Sequence, residues 1–196
     1  MAESAKLRRS RITPEREAKL YAAVLALLRE VGYDALTMDA VASRTRFSKA
    51  TLYRHWGSKA ELVVKALRHQ KPVNIGEIDT GSLRGDLHEM VRREGDCRME
   101  QGTSLLRGLA MAVHENADLL RALRELLFEP EMTGFDRMLR RAVERGEIRE
   151  DNPAVEYVPH MLVGGLVVRG VIDNQPSTQT FLTSYIDAVV LPALSA

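Results

Sequence analysis

The stretch 37–59 concentrates side chains that hold phosphates and read base edges. Lys49, Arg54 and His55 offer positive or hydrogen-bonding groups, Thr37, Ser48, Thr51 and Tyr53 offer hydroxyls, and Ala50 leaves room for close approach. Arg46 and Lys59 flank them. In a helix over 49–56, Lys49, Ala50, Tyr53, Arg54 and His55 form an outward surface without aliphatic bulk, which suits a major groove and its phosphate walls. Other chemistries lack a comparable set. The histidines His55, His69, His88, His114 and His160 show no HxxxH or HExxH spacing, so no metal is expected. No glycine-rich phosphate loop follows a strand and no GxSxG elbow occurs, so neither an enzyme nor a cofactor is expected. Cys97 is the single cysteine; it forms no intrachain disulfide and reads as an inert thiol or a redox sensor.

Positioning the 37–59 groups takes short helices. Residues 14–31 place Tyr21, Val24, Leu25, Leu28 and Val31 at helical spacing, with Thr13 as N-cap, Pro14 at the first position and Gly32 as the stop. A second helix starts after Thr37 and buries Met38, Val41 and Ala42; Ser48 caps a third through Trp56; Ser58 with Glu61 forms a capping box for a fourth over 59–70. Two short helices joined at Thr45-Arg46-Phe47 follow helix-turn-helix logic. Thr37 and Ser48 are N-caps with or without DNA, and Trp56 suits the small core. Lys71-Pro72 ends the fourth helix, and 72–82 reads as a connection.

With its long preceding helix, the run Thr37 to Leu62, and above all Ser48-Lys-Ala-Thr-Leu-Tyr-Arg-His-Trp-Gly-Ser-Lys-Ala-Glu-Leu62, closely resembles the DNA-binding domain of the tetracycline-repressor (TetR) family. The resemblance implies an all-α chain that binds double-stranded DNA. It gives Thr37 and Tyr53 phosphate contacts, Lys49, Ala50 and Thr51 an approach to bases, and Lys59 a backbone anchor. The family's usual turn glycine falls at Arg46, which must adopt a left-handed conformation or a slightly different turn.

The second half is also helical by pattern, with helices expected over 83–99, 103–114, 117–145, 153–172 and 178–190. Pro130 and Gly134 are expected to kink or split the third of these, and Gly146 to end it. The run 161–168, which includes Gly164, Gly165, Val167 and Val168, is apolar all round and calls for burial on more than one side. With Phe181, Tyr185, Ile186 and Val189 it resembles the family's homodimer seam; an intrachain core is the alternative. Met90, Met111, Phe128, Met138 and Leu162, with Arg107 to meet an acidic group, are candidates for a pocket holding a small-molecule effector, since methionine adapts to varied apolar shapes. Plain core is the competing explanation.

The 196 residues are 45% hydrophobic and 28% charged, as in folded domains. The net charge of +1 hides a division: residues 1–71 carry 15 Lys/Arg against 7 Asp/Glu, and residues 72–196 carry 13 against 20. The basic side suggests a unit facing a polyanion, or simply a solvated face. The longest apolar run has nine residues, so no membrane span is expected; with no secretory signal, the cytoplasm is the expected location. The expected organisation is a basic tail at 1–12, including Lys6, Arg8, Arg9 and Arg11, a DNA-binding domain at 13–71, and an effector and dimerisation domain at 72–196. The function that follows is a homodimeric repressor on a palindromic operator, released by an effector. The alternative is a helical interaction protein or small-ligand carrier.

Overall fold

Local capping sets the start of each of the first four helices. The computed structural model describes residues 12–70 and 74–195, apart from the side chains of Leu106, Arg107 and Ala110. Helix α1 spans Pro14–Ala35, α2 Met38–Thr45, α3 Lys49–Trp56 and α4 Lys59–His69. The hydroxyls of Thr13, Thr37, Ser48 and Ser58 accept from the amides of Arg16, Ala40, Thr51 and Glu61 at 3.1–3.3 Å, each satisfying a donor the helix leaves open. The Glu61 carboxylate turns instead to Lys65 at 3.2 Å. Gly32, at φ 75° and ψ 173°, breaks α1 near its end. The buried stripe therefore stops one turn early: Val31 is exposed, and Tyr33 and Leu36 beyond the break turn into the core instead.

The connection holds a 3-10 turn at Ile75–Glu77, while Lys71 and Pro72 lie outside the described residues. Helices α5, Leu83–Glu94, and α6, Asp96–Glu115, meet at Gly95. A break between 99 and 103 does not occur. Gly95 takes φ 72° and turns the chain, whereas Gly102 sits inside α6. The stretch expected over 117–145 runs as α7, Ala117–Leu123, a π turn at Arg124–Phe128, and α8, Glu129–Glu144. The wider turn precedes Pro130, which lacks an amide donor. Gly134 splits nothing; a Cβ there would lie 3.1 Å from both the Gly76 nitrogen and Ile75 Cβ. Past α8, Gly146 at φ 74° donates to Val143 O, and Glu147 N to Ala142 O, both at 2.9 Å, the pattern of a Schellman stop. After a 3-10 turn at Pro153–Tyr157 come α9, Val158–Ile172, and α10, Gln179–Tyr185. A second π turn at Ile186–Val190 leads into α11, Leu191–Ser195, five residues beyond the expected end.

No strand occurs among the described residues. Two apolar cores form. The first joins α1–α4 to Leu105, Leu109 and Ala112 of α6 and to Leu119, Ala122, Leu123 and Leu127. The second gathers Leu87, Phe135, Met138, Val158, Leu182 and Ile186 with their neighbours. Within the chain α9 buries only Val158 and Leu162. The helical stretch Pro153–Ile172 is, by length and composition alone, apolar enough to cross a bilayer. Run length overlooks it because Glu156, His160 and Arg169 interrupt the apolar residues.

Two helical glycines should respond in opposite directions. Gly134→Ala forces a Cβ against backbone and should cost about 1–3 kcal/mol. Gly102→Ala enters open space and should stabilise by about 0.4–1 kcal/mol through helix propensity. Chemical denaturation of both variants measures the difference.

Candidate nucleic-acid interface and effector cavity

The turn between α2 and α3 is made by Arg46 at φ 58° and ψ 26°, so a residue with a Cβ does occupy the left-handed conformation. Beneath it Val41, Phe47, Leu52 and Trp56 are buried. Trp56 meets Phe47 and Tyr21 edge-on at 5.8 and 6.3 Å. Its indole N–H donates to Tyr21 Oη at 2.9 Å, and that hydroxyl donates to Glu17 at 2.8 Å. Burial first, together with the Glu17 carboxylate, pushes the Tyr21 pKa up to about 12. Arg16 stacks over Phe47 at 4.4 Å. This relay fixes α3 on α1; Tyr21, Phe47 and Trp56 are legible in the sequence pattern, and Arg16 and Glu17 are not.

What α3 turns outward is Lys49, Ala50, Tyr53, Arg54 and His55, all exposed, with Tyr53 at 47%. Thr51 is half-buried, and its hydroxyl lies 2.8 Å from Ser48 Oγ. Thr37 and Arg46 are exposed beside them. Lys49 Nζ donates to Asp39 at 2.8 Å, a contact that raises its pKa; the pair is solvated, and a phosphate can replace the carboxylate. Lys59 is held differently. Its Nζ donates to Tyr33 O at 2.9 Å and sits 4.1 Å from the Tyr33 ring centre, and burial lowers its pKa. The ammonium read as a backbone anchor is tied inside the chain in this structure, because the turn after Gly32 brings Tyr33 to the start of α4.

A cavity of about 360 Å³ opens between α4, α5, α6, α8 and α9. Met90, Phe128 and Leu162 line it; Met138 lies fully buried in the second core, and Met111, at 72% exposure, faces solvent. Periodicity places a methionine on a face without saying what covers that face. The Arg107 side chain lies outside the described residues. Leu67 of α4 and Gln70 just past its end, with Glu94 and Arg98, also form the wall; nothing in their spacing signalled it.

Of the residues read as a seam, Val168 and Val189 are exposed, and Gly164 and Val167 are half-buried. Gly165 receives the Tyr185 ring of its own chain, 3.0 Å from where a Cβ would sit. Phe181 stacks on Tyr185 at 5.9 Å and under Arg169 at 3.8 Å. Ile186 is a correction: at 0% exposure it belongs to the second core, because it lies four residues after buried Leu182 on the helix face turned into its own chain. Val171 and Ile172, the latter 75% exposed, extend the apolar face instead.

Residues 20–66 match the model for bacterial regulatory proteins of the tetR family, and residues 77–189 match the tetracyclin repressor-like C-terminal domain. The chain belongs to the TetR family. An HTH-type transcriptional regulator of Mycobacterium tuberculosis is 38% identical, over 92% of this chain and 88% of that relative. The DNA-binding transcriptional repressor TetR of Mycobacteroides abscessus is 36% identical, over 90% and 92%. A crystal structure of the TetR family transcription regulator SCO0332 superposes with a TM-score of 0.66 at 30% identity, covering 91% of this chain and 98% of that one. This TetR-family chain is thus a helix-turn-helix transcriptional regulator, and regulators of this family are not enzymes.

Two substitutions test the local geometry. Arg46→Gly removes the left-handed penalty and should raise stability by about 1 kcal/mol. Lys59→Ala loses both ties to Tyr33 and should lower stability by about 1–2 kcal/mol. Urea unfolding of the two proteins gives both values; an unchanged midpoint for Lys59→Ala refutes the internal role.

Proposed function

We propose that the chain is a homodimeric repressor that binds a two-fold symmetric operator and is released when a small molecule enters the cavity. The observation that carries this reading is α4: its N-terminus follows α3, and its C-terminal residues Leu67 and Gln70 line the cavity wall. An occupant that favours one tilt of α4 shifts the spacing of two readers. A ligand with equal affinity for both tilts changes nothing, and coupling of about 1–3 kcal/mol corresponds to roughly 5- to 150-fold in operator affinity.

The uncovered apolar face of α9, with Val163, Val168, Val171 and Ile172 exposed, supports a seam between two copies, and the same need accounts for its bilayer-like composition. Residues 13–71 act as reader and 72–196 as effector and dimerisation unit. The tail at 1–12, with Lys6, Arg8, Arg9 and Arg11, lies outside the described residues but for Ile12. The regulator works in the cytoplasm.

Footprinting on selected DNA should show two protected half-sites about one helical turn, or a simple multiple, apart. Lys49→Ala should flatten the salt slope of binding by about one unit. Val168→Arg and Ile172→Arg change residues the single chain leaves exposed, so the fold survives while ultracentrifugation shows monomers. Dimers from both variants refute the α9 seam.

A further inference from the structure

We propose that the cavity selects a lipophilic cation, an apolar body with one positive head whose charge is met by Glu94. The inference rests on the cavity being the effector site. Its wall is rich in Met90, Met99, Phe128 and Phe135; polarisable sulfur and aromatic faces receive a cation better than aliphatic carbon does. Glu94 stands half-buried on that wall at the last position of α5, and its carboxylate makes no hydrogen bond or ion pair among the described residues.

None of the arginines around it binds its carboxylate. Arg92 and Arg93 both hold Glu89, at 2.6 and 2.7 Å. Arg98 donates to the carbonyl oxygens of Glu94, at 2.7 Å, and Arg93. Arg98 thereby caps the negative end of α5, and the Glu94 carboxylate itself supplies the unpaired charge on this wall. The surplus of acidic residues across 72–196, 20 against 13 basic, has the same sign and draws cations toward this half. A neutral apolar ligand would leave Glu94 partly desolvated and unpaired, and an anionic one would be repelled.

Three probes with the same body and different heads separate these cases: decyltrimethylammonium, decanol and decanoate, titrated calorimetrically below micelle-forming concentrations into the full chain. The expected order is cation, alcohol, carboxylate, with about tenfold or more between cation and alcohol. Glu94→Gln should cancel that advantage while leaving decanol binding and the melting temperature of the free protein unchanged, since Glu94 has no partner to lose. Equal affinities, or tightest binding of decanoate, overturn the charge selection and leave the effector pocket standing. Binding of none of the three overturns both.

Discussion

Helix α4 has almost no face left to water. Of its eleven residues, Ala60, Leu62, Val63, Val64, Ala66 and Leu67 are buried, far more than the single stripe of an ordinary surface helix. They pack against α1 on one side and against α7 and the π turn on the other. At its start Lys59 reaches back to Tyr33. Close-packed interiors transmit displacement and do not absorb it, so the direction in which α3 faces is coupled to the position of α6 and α7.

Polar ties brace the other half at both ends of α5. The start of α5 is fastened: buried Asp86 accepts from the Thr80 amide and hydroxyl at 2.6 and 2.7 Å, and Glu147 accepts from Leu83 N at 2.7 Å. Arg84 grips Asp187 with two bonds, and His88 joins the same carboxylate at 2.9 Å. The end of α5, which borders the cavity, is fastened as well: Gln179 Nε2 donates to Val91 O and Arg92 O at 3.1 and 2.9 Å, and Arg98 to the carbonyl oxygens of Arg93 and Glu94. Side chains from the C-terminal helices thus hold α5 at both ends, beside the cavity as well as away from it.

What could be read from the sequence was local. The caps at Thr13, Thr37, Ser48 and Ser58, the stop at Gly146 and the helix-turn-helix spacing all depend on neighbours within a few residues, and the sequence states those directly. What escaped depends on distant partners. Gly95 and Gly102 look alike until φ is known, and Met111 and Met138 share a residue type but not a neighbour. Ile186 falls on the apolar stripe of the last helix, yet which of that stripe's residues face their own chain is decided by the helices packed against it. Lys59 has the position of a phosphate ligand, and its engagement with Tyr33, 26 residues earlier, leaves no mark in its own motif.

The first core crosses the connection between the two halves. Leu105, Leu109, Ala112, Leu119, Ala122, Leu123 and Leu127 complete the interior of the reader, although they lie beyond residue 82. The reader is therefore not a detachable cassette. An exchange of N-terminal halves between relatives, joined anywhere in the connection, would set one lineage's α1 and α4 against another lineage's α6 and α7. The outer face of α3 is free to diverge, while the inner faces must be inherited together.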